Sequence, residues 1–311
     1  MALHTVLGAS GAVGRAVIGE LQQRKLPLRA VERHGGLEGV DTILADLLNK
    51  DQARRAVAGS SHVYLCVGLP YRAAVWQRDW PQLMDNVLQA CRETGARLIF
   101  LDNVYMYGPT PLQVPFEETH PQEPPTAKGR ARKETADLLL QASARGEVQA
   151  LIGRSADFYG PGAVNSPFYI SMLQRMLAGK APQSIYPPDV PHTYAFTPDI
   201  GRALVTLALE EDCYGQVWHL PAGEPIPVSQ ISALLNKALG TSYKTTYLSG
   251  FMVRLLGLFI PGLKEVAAML YQFREPYVMS FEKFRGRFPD FRLTGYEEGV
   301  GSMVDSFRRG G

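Results

Sequence analysis

Apolar residues in the first half of the chain fall into short unbroken runs, separated by longer stretches in which they recur every three to four positions. The runs Leu3–Leu7, Leu28–Glu32, Val63–Val67, Arg97–Leu101 and Val148–Ile152 read as strands. The stretches Val13–Arg24, Asp51–Ala58, Trp80–Glu93 and Lys128–Ala144 read as helices, the first with Val13, Val17, Ile18 and Leu21 on one face. Strands apolar on both faces, each followed by an amphipathic helix, predict an α/β fold: a Rossmann-type doubly wound parallel sheet. Beyond Gly153 the pattern loosens into loops and short helices carrying Tyr and Pro, as expected of a smaller C-terminal lobe. A helix over Asp199–Leu209 and a strand over Gln216–Leu220 then predict a return to the sheet. The expected division is a main domain at 1–153, rejoined by 193–222, and a lobe made of 154–192 and 223–311.

Two stretches interrupt this rhythm. Prolines 109, 111, 115, 121, 124 and 125 predict a stiff, ordered surface loop bordering the site. Phe251–Leu270 is apolar enough to suggest a membrane span, but Arg254, Pro261, Lys264 and Glu265 break it. Two short amphipathic helices meeting at Ile260-Pro261-Gly262 are predicted instead, packing on the core or capping a substrate or partner.

The first strand runs directly into Gly8-Ala-Ser10-Gly11-Ala12-Val13-Gly14. Glycines at this spacing, between a strand and a helix, let a helix N-terminus approach a pyrophosphate without side chains in the way. The competing reading is a purely structural turn. With the following strand in place, the turn marks residues 1–153 as a dinucleotide-binding domain and makes the other lobe the substrate lobe. Glu32 ends the second strand, where an acid would bind the adenosine ribose hydroxyls and repel a 2′-phosphate; Arg33 beside it would accommodate one. NAD is the expected cofactor, because Glu32 should face the site, with NADP as the alternative. Asp46, beside Leu47, lies where a carboxylate could meet the adenine amino group, or it is simply a helix N-terminal acid. Val67 and Gly68 end the next strand, where Gly68 would let backbone approach the cofactor.

Composition narrows the class. Of 311 residues, 46% are hydrophobic and 20% charged, as in an ordinary globular protein, and a net charge of +2 argues against nucleic acid as partner. Cys66, Cys91 and Cys213 are scattered and read as reduced, buried thiols of a cytoplasmic protein. With a strand starting almost at Met1, no signal peptide and no membrane association are expected. The histidines show no metal-ligand spacing, so no metal is expected.

Taken together these residues resemble the extended short-chain dehydrogenase/reductase superfamily, the group of nucleotide-sugar epimerases and dehydratases. The resemblance covers essentially the whole chain. It rests on the Gly8/Gly11/Gly14 turn, Asn86 on the helix before the Arg97–Leu101 strand, and Tyr107-Gly108 after that strand. Arg154-Ser-Ala-Asp-Phe-Tyr-Gly-Pro-Gly162 and Tyr194…Asp199-Ile200 complete it. It implies hydride transfer on a small polar substrate, such as a sugar or nucleotide-sugar, and a homodimer through two helices of the main sheet.

The superfamily's catalytic motif is not kept. It uses a Ser or Thr four residues before the Tyr-Gly tyrosine, and a Tyr-x-x-x-Lys pair whose lysine lowers the phenol pKa for proton transfer. Here Asn103 takes the serine position, Lys128 the tyrosine position and Arg132 the lysine position, and no Tyr-x-x-x-Lys spacing occurs in the chain. Three readings stay open. Lys128 is itself the proton-transfer group, its pKa pushed down by Arg132 and an oxidised nicotinamide, with Asn103 polarising a carbonyl. Or Lys128 only holds the nicotinamide ribose, and Tyr105, Tyr107 or Tyr159 does the acid–base work. Or the protein is a catalytically silent dinucleotide sensor. Against all three stands a solvated Lys128/Arg132 helix face bonded to Glu117 or Glu118, which the helix dipole disfavours. On the substrate side, Tyr71, Tyr159 and His192 are expected around a pocket mouth, while Trp76 and Trp80, at i and i+4, fit a core pair better.

Overall fold

The computed structural model describes residues 2–185, 187–257, 259 and 261–309. The chain divides into two compact units: Met1–Tyr107, Gln122–Ser155 and Ile200–Leu220 form one, and Gly108–Pro121, Ala156–Asp199 and Pro221–Gly311 the other. Residues 108–121, which carry four of the clustered prolines, therefore group with the second unit.

The first unit is built on strands β1 (His4–Leu7), β2 (Leu28–Glu32), β3 (Thr42–Leu44), β4 (His62–Leu65), β5 (Arg97–Asp102), β6 (Ala150–Arg154) and β7 (Val217–His219). All pair in parallel, in the order β7-β6-β5-β4-β1-β2-β3. Every residue of β1, β4 and β6 is buried, which is why these strands read as unbroken apolar runs. The order reverses between β1 and β4, and the crevice beyond the strand ends at such a reversal is where doubly wound sheets take their ligands.

Helices α1 (Ala12–Gln23), α2 (Lys50–Val57), α3 (Ala73–Thr94), α4 (Ala127–Ala144) and α5 (Thr197–Ala208) accompany the strands. α3 starts well before the expected Trp80 and carries Pro81 inside it. An internal proline costs about 3 kcal/mol. Burying Val75, Trp76, Trp80, Leu83 and Met84 on one face returns about 2 kcal/mol or more for each large side chain, so the helix runs through. Gly95, in the left-handed region at φ 70°, ends it. Trp76 and Trp80 are the core pair that their spacing suggested, edge to face at 6.4 Å. α5 lies so close to α1 that a Cβ on Gly201 would stand 2.5 Å from the Ala16 carbonyl carbon.

At the N-terminal ends of β1 and β4, His4 and His62 stack with ring centroids 4.5 Å apart and planes 4° from parallel. His4 Nδ1 lies 3.0 Å from the Tyr64 hydroxyl. Burial, reinforced by the like charge His62 would carry, pulls the His4 pKa down to about 4. Cys66, Cys91 and Cys213 are buried and in no disulfide, and burial pushes the Cys66 and Cys91 thiols up to about 12.

The second unit has its own core, centred on Tyr159, Phe168, Met172, Tyr194, Ile231 and Met303. Its strands are short parallel pairs, Asp157–Tyr159 with Tyr194–Phe196 and Gln183–Ser184 with Thr246–Tyr247. The apolar stretch after Tyr247 forms the two short helices Gly250–Gly257 and Pro261–Ala267. Ile260, at the expected break, lies outside the described residues. Among the described residues, no helix is long and apolar enough to cross a membrane.

Candidate functional site

The turn after β1 is shaped by its glycines at two points. Gly8 has φ +79°, and a Cβ there would meet Val67 Cα at 2.8 Å; a Cβ on Gly14 would meet the Gly8 carbonyl oxygen at 2.2 Å. These contacts seat α1 directly against the ends of β1 and β4. Gly11, the N-cap of α1, has no side chain to cap the helix, and it is exposed. The first-turn amides and the positive end of the helix dipole are therefore left to an anion. Glu32, at the end of β2, accepts a hydrogen bond from the Ser10 amide on the rim of the same turn. Arg33 points into solvent as an exposed side chain. Gly68 is exposed, and a Cβ there would meet no other atom within 4 Å. A cradle that side chains would fill, an uncapped helix start and an acid at the ribose position fit a dinucleotide without a 2′-phosphate.

Around Asp46 the backbone turns on itself. Asp46 Oδ1 accepts from Leu48 N at 3.0 Å, and the α2 cap is Asn49, whose Oδ1 accepts from Gln52 N at 3.1 Å. Asn49, not Asp46, thus caps α2. Asn86, reaching from α3, donates to Leu47 O at 2.9 Å and fixes this turn.

The C-terminal ends of β5, β6 and β7 carry a buried polar chain that periodicity does not reveal. Asp102 Oδ1 accepts from Arg132 Nε at 2.7 Å and also from its Nη2. Asp102 Oδ2 lies 3.6 Å from Arg154 Nε. Arg154 Nη1 donates to the Tyr107 hydroxyl at 2.8 Å, and that oxygen lies 2.5 Å from His219 Nε2. The Arg132 guanidinium is also 4.0 Å from the Trp80 ring centroid and 4.8 Å from that of Phe100.

This overturns the solvated-face reading of α4: Lys128 is 1% exposed and Arg132 3%. Thr126 caps α4 by accepting from Gly129 N at 3.0 Å, and a Cβ on Gly129 would stand 2.3 Å from Tyr105 O. The helix start is thereby pressed against the segment after β5. Lys128 Nζ sits 4.1 Å from the centroid of the Tyr71 ring. Tyr71 packs edge to face on Trp76, which stacks on Tyr105. Asn103 turns its Oδ1 to Tyr105 N at 3.0 Å. Arg132 was expected to depress Lys128 as a bare cation; its charge is instead neutralised by Asp102.

Two expectations about exposure are corrected in the second unit. Tyr159 is buried among Phe168, Phe196 and Tyr296, and burial raises its phenol pKa, so it does not stand at an open mouth. His192 is likewise buried, stacked with Tyr194, Phe273 and Tyr277, its Nε2 3.1 Å from Asp157 Oδ2. Tyr107, offered as an acid–base group, is also fully buried, its hydroxyl engaged by Arg154 and His219. Tyr71, by contrast, is 39% exposed. Sequence reading passed over Asp102, Arg154 and His219, although Arg154 opens the segment that carried the resemblance.

Residues 4–215 match the NAD dependent epimerase/dehydratase family. The chain belongs to that family. Among solved structures it is similar to a UDP-glucose 4-epimerase of Thermus thermophilus in complex with NAD, at 17% identity and a TM-score of 0.79 over 99% of both chains. It is similar to the enzyme WbmH of Bordetella bronchiseptica with NAD+, at 16% identity and 0.80, over 100% of this chain and 99% of that one. A UDP-glucuronic acid 4-epimerase of Bacillus cereus with NAD matches at 15% identity and 0.80 over 99% of both. At these identities the likeness is one of fold. No functionally curated protein matches the sequence.

Proposed function

We propose that the protein binds NAD(H) at the Gly8–Gly14 turn and catalyses hydride transfer on a small polar carbinol or carbonyl substrate. The observation that carries this is the cradle: Gly8 and Gly14 leave room only for backbone, α1 starts uncapped, and Glu32 closes the rim. Bound dinucleotide supplies the hydride acceptor or donor. The first-turn backbone at Ala12 and Val13 would hold the pyrophosphate, Ser10 and Gly11 would line it, Glu32 would hold the adenosine ribose, and Val67 and Gly68 would leave room beside it. The solved NAD complexes of the same fold support the choice of NAD.

The proton chemistry turns on Lys128, which takes the family tyrosine's position as a buried cation. Asn103 keeps its amide oxygen on Tyr105 N, so its Nδ2 is the end available to donate to a substrate carbonyl. A nucleotide-sugar is the substrate class that the neighbours favour, since several act on or hold UDP-sugars.

A second reading, a dinucleotide-responsive regulator, draws on one observation. Arg132, Tyr107 and Tyr159 are all committed to structural partners. Titration with NAD⁺, NADH, NADP⁺ and NADPH, followed by Lys128→Met, separates the two. Micromolar binding of NAD(H), with turnover lost and binding kept in the variant, supports the enzyme. Binding with turnover unaffected by Lys128→Met removes the proton role of Lys128. Binding without turnover on any carbinol or carbonyl substrate leaves the regulator, and no binding of any of the four ends both readings.

A further inference from the structure

The family's proton relay is a tyrosine beside a lysine. This chain has lost the spacing, but the structure brings the same two side chains together from different elements. Lys128 opens α4, and Tyr71 stands just ahead of α3. Resting on the reading above, we propose that Tyr71 and Lys128 replace the missing pair: the Tyr71 phenol exchanges the proton with the substrate oxygen, and the Lys128 ammonium stabilises its phenolate.

Three observations carry this. Lys128 Nζ stands 4.1 Å from the Tyr71 ring centroid, and a cation over a phenol ring is attracted more strongly once the ring system carries the phenolate charge. The lysine is buried while the tyrosine is 39% exposed, so the charge is held in a low-dielectric setting and part of Tyr71 faces solvent. Of the other tyrosines of the first unit placed near α4, Tyr107 is buried against Arg154 and His219, and Tyr105 lies flat on Trp76 where Tyr71 meets that ring by its edge. The next cation along α4, Arg132, is engaged by Asp102, which leaves Lys128 as the charge bearing directly on Tyr71.

In the oxidising direction the step balances. The carbinol O–H proton passes to the Tyr71 phenolate oxygen as the carbon–oxygen double bond forms. A bound oxidised dinucleotide would supply the hydride acceptor for the hydrogen and electron pair of the carbinol C–H bond that breaks, which closes the balance. Reduction runs the same transfers backwards, with Tyr71 donating.

The test is a spectroscopic titration of the cofactor-free protein, in which phenolate formation is read by ultraviolet absorbance and Tyr71→Phe is subtracted from wild type. Tyr71→Phe keeps the ring and its packing. Burial pushes Tyr64, Tyr159, Tyr194, Tyr214 and Tyr296 upward, so a phenol ionising below 10 stands apart from them. The expected difference is one phenol ionising at least one unit below 10, a tenfold change, abolished in Lys128→Met. In turnover, Tyr71→Phe should lower kcat at least a hundredfold with NAD(H) affinity intact. A Tyr71 phenol that titrates at 10 or above in wild type overturns the pairing, as does an unchanged kcat in Tyr71→Phe. Failure of the protein to bind any dinucleotide would instead strike the reading of the fold's ligand, whatever the phenol does.

Discussion

Asp102 gathers two hydrogen bonds from Arg132 on one oxygen, Oδ1, which also accepts from the Asn103 amide at 2.8 Å. Its other oxygen faces Arg154 at 3.6 Å. One carboxylate therefore stands between two buried guanidiniums, on the segment that ends β5 and begins the Asn103 turn.

Removing that carboxylate should be expensive. Asp102→Asn leaves two buried cations without their counter-charge and should lower unfolding free energy by about 3–5 kcal/mol, read from urea melts. The paired replacement of Asp102→Leu with Arg132→Met should cost less than Asp102→Asn, because it leaves one buried cation, Arg154, without its counter-charge instead of two. Equal losses in both would show that the pair contributes only packing.

Glycines of the turn should separate by role. Gly14→Ala forces a Cβ to 2.2 Å from the Gly8 carbonyl oxygen and should destabilise the fold by about 1–3 kcal/mol. Gly11→Ala meets that oxygen only at 3.4 Å. It should melt near the wild-type temperature and yet bind NAD at least tenfold more weakly, by calorimetry. If Gly11→Ala binds normally, the helix start does not hold the pyrophosphate.

Glu32 sets the cofactor preference. NADH should bind at least tenfold more tightly than NADPH, since the carboxylate sits on the rim of the turn while Arg33 lies in solvent. Glu32→Ala should narrow that ratio. A preference for NADPH in the wild type would hand the role to Arg33.

Acid should weaken the first unit through its stacked histidines. His4 is depressed to about 4 from 6.5, so the unfolded chain binds the proton first as pH falls. The associated stability is fully present above pH 6.5 and is lost as the pH drops towards 4, by up to about 3 kcal/mol. Melting temperatures of wild type and His4→Leu, compared from pH 7 to 4, should converge as pH falls. Parallel curves would remove His4 from the acid response.

The parts of the fold legible in the sequence are those that bury whole strands. β1, β2 and β5 fall within a residue of their apolar runs and β4 within two, whereas Thr42–Leu44, half-buried at the sheet edge, carried no such run. Pro81 masked the first turns of α3, because a proline is read locally as a start while two buried tryptophans pay for its interior place. The glycine turn was legible because its chemistry is contiguous. The Asp102 cluster was not: its contacting pairs lie 30 to 112 residues apart, and a buried arginine looks like a solvated one until its partner is known. Tyr71 and Lys128, drawn from separate elements, were singled out for different tasks and never as a couple.

The close approach of Gly201 to Ala16 bears on how the chain is made. As the protein emerges from the ribosome, the helix behind the glycine turn appears almost at once, but the helix that meets it at Ala16 arrives only with Gly201. β7, which pairs with β6, comes later still. Through most of synthesis the nascent sheet thus has an open edge and a bare helix flank, the features that invite chaperone capture or mispairing. A chain cut after Ser155 would keep every element of the dinucleotide turn and still lack the helix that meets α1 at Ala16.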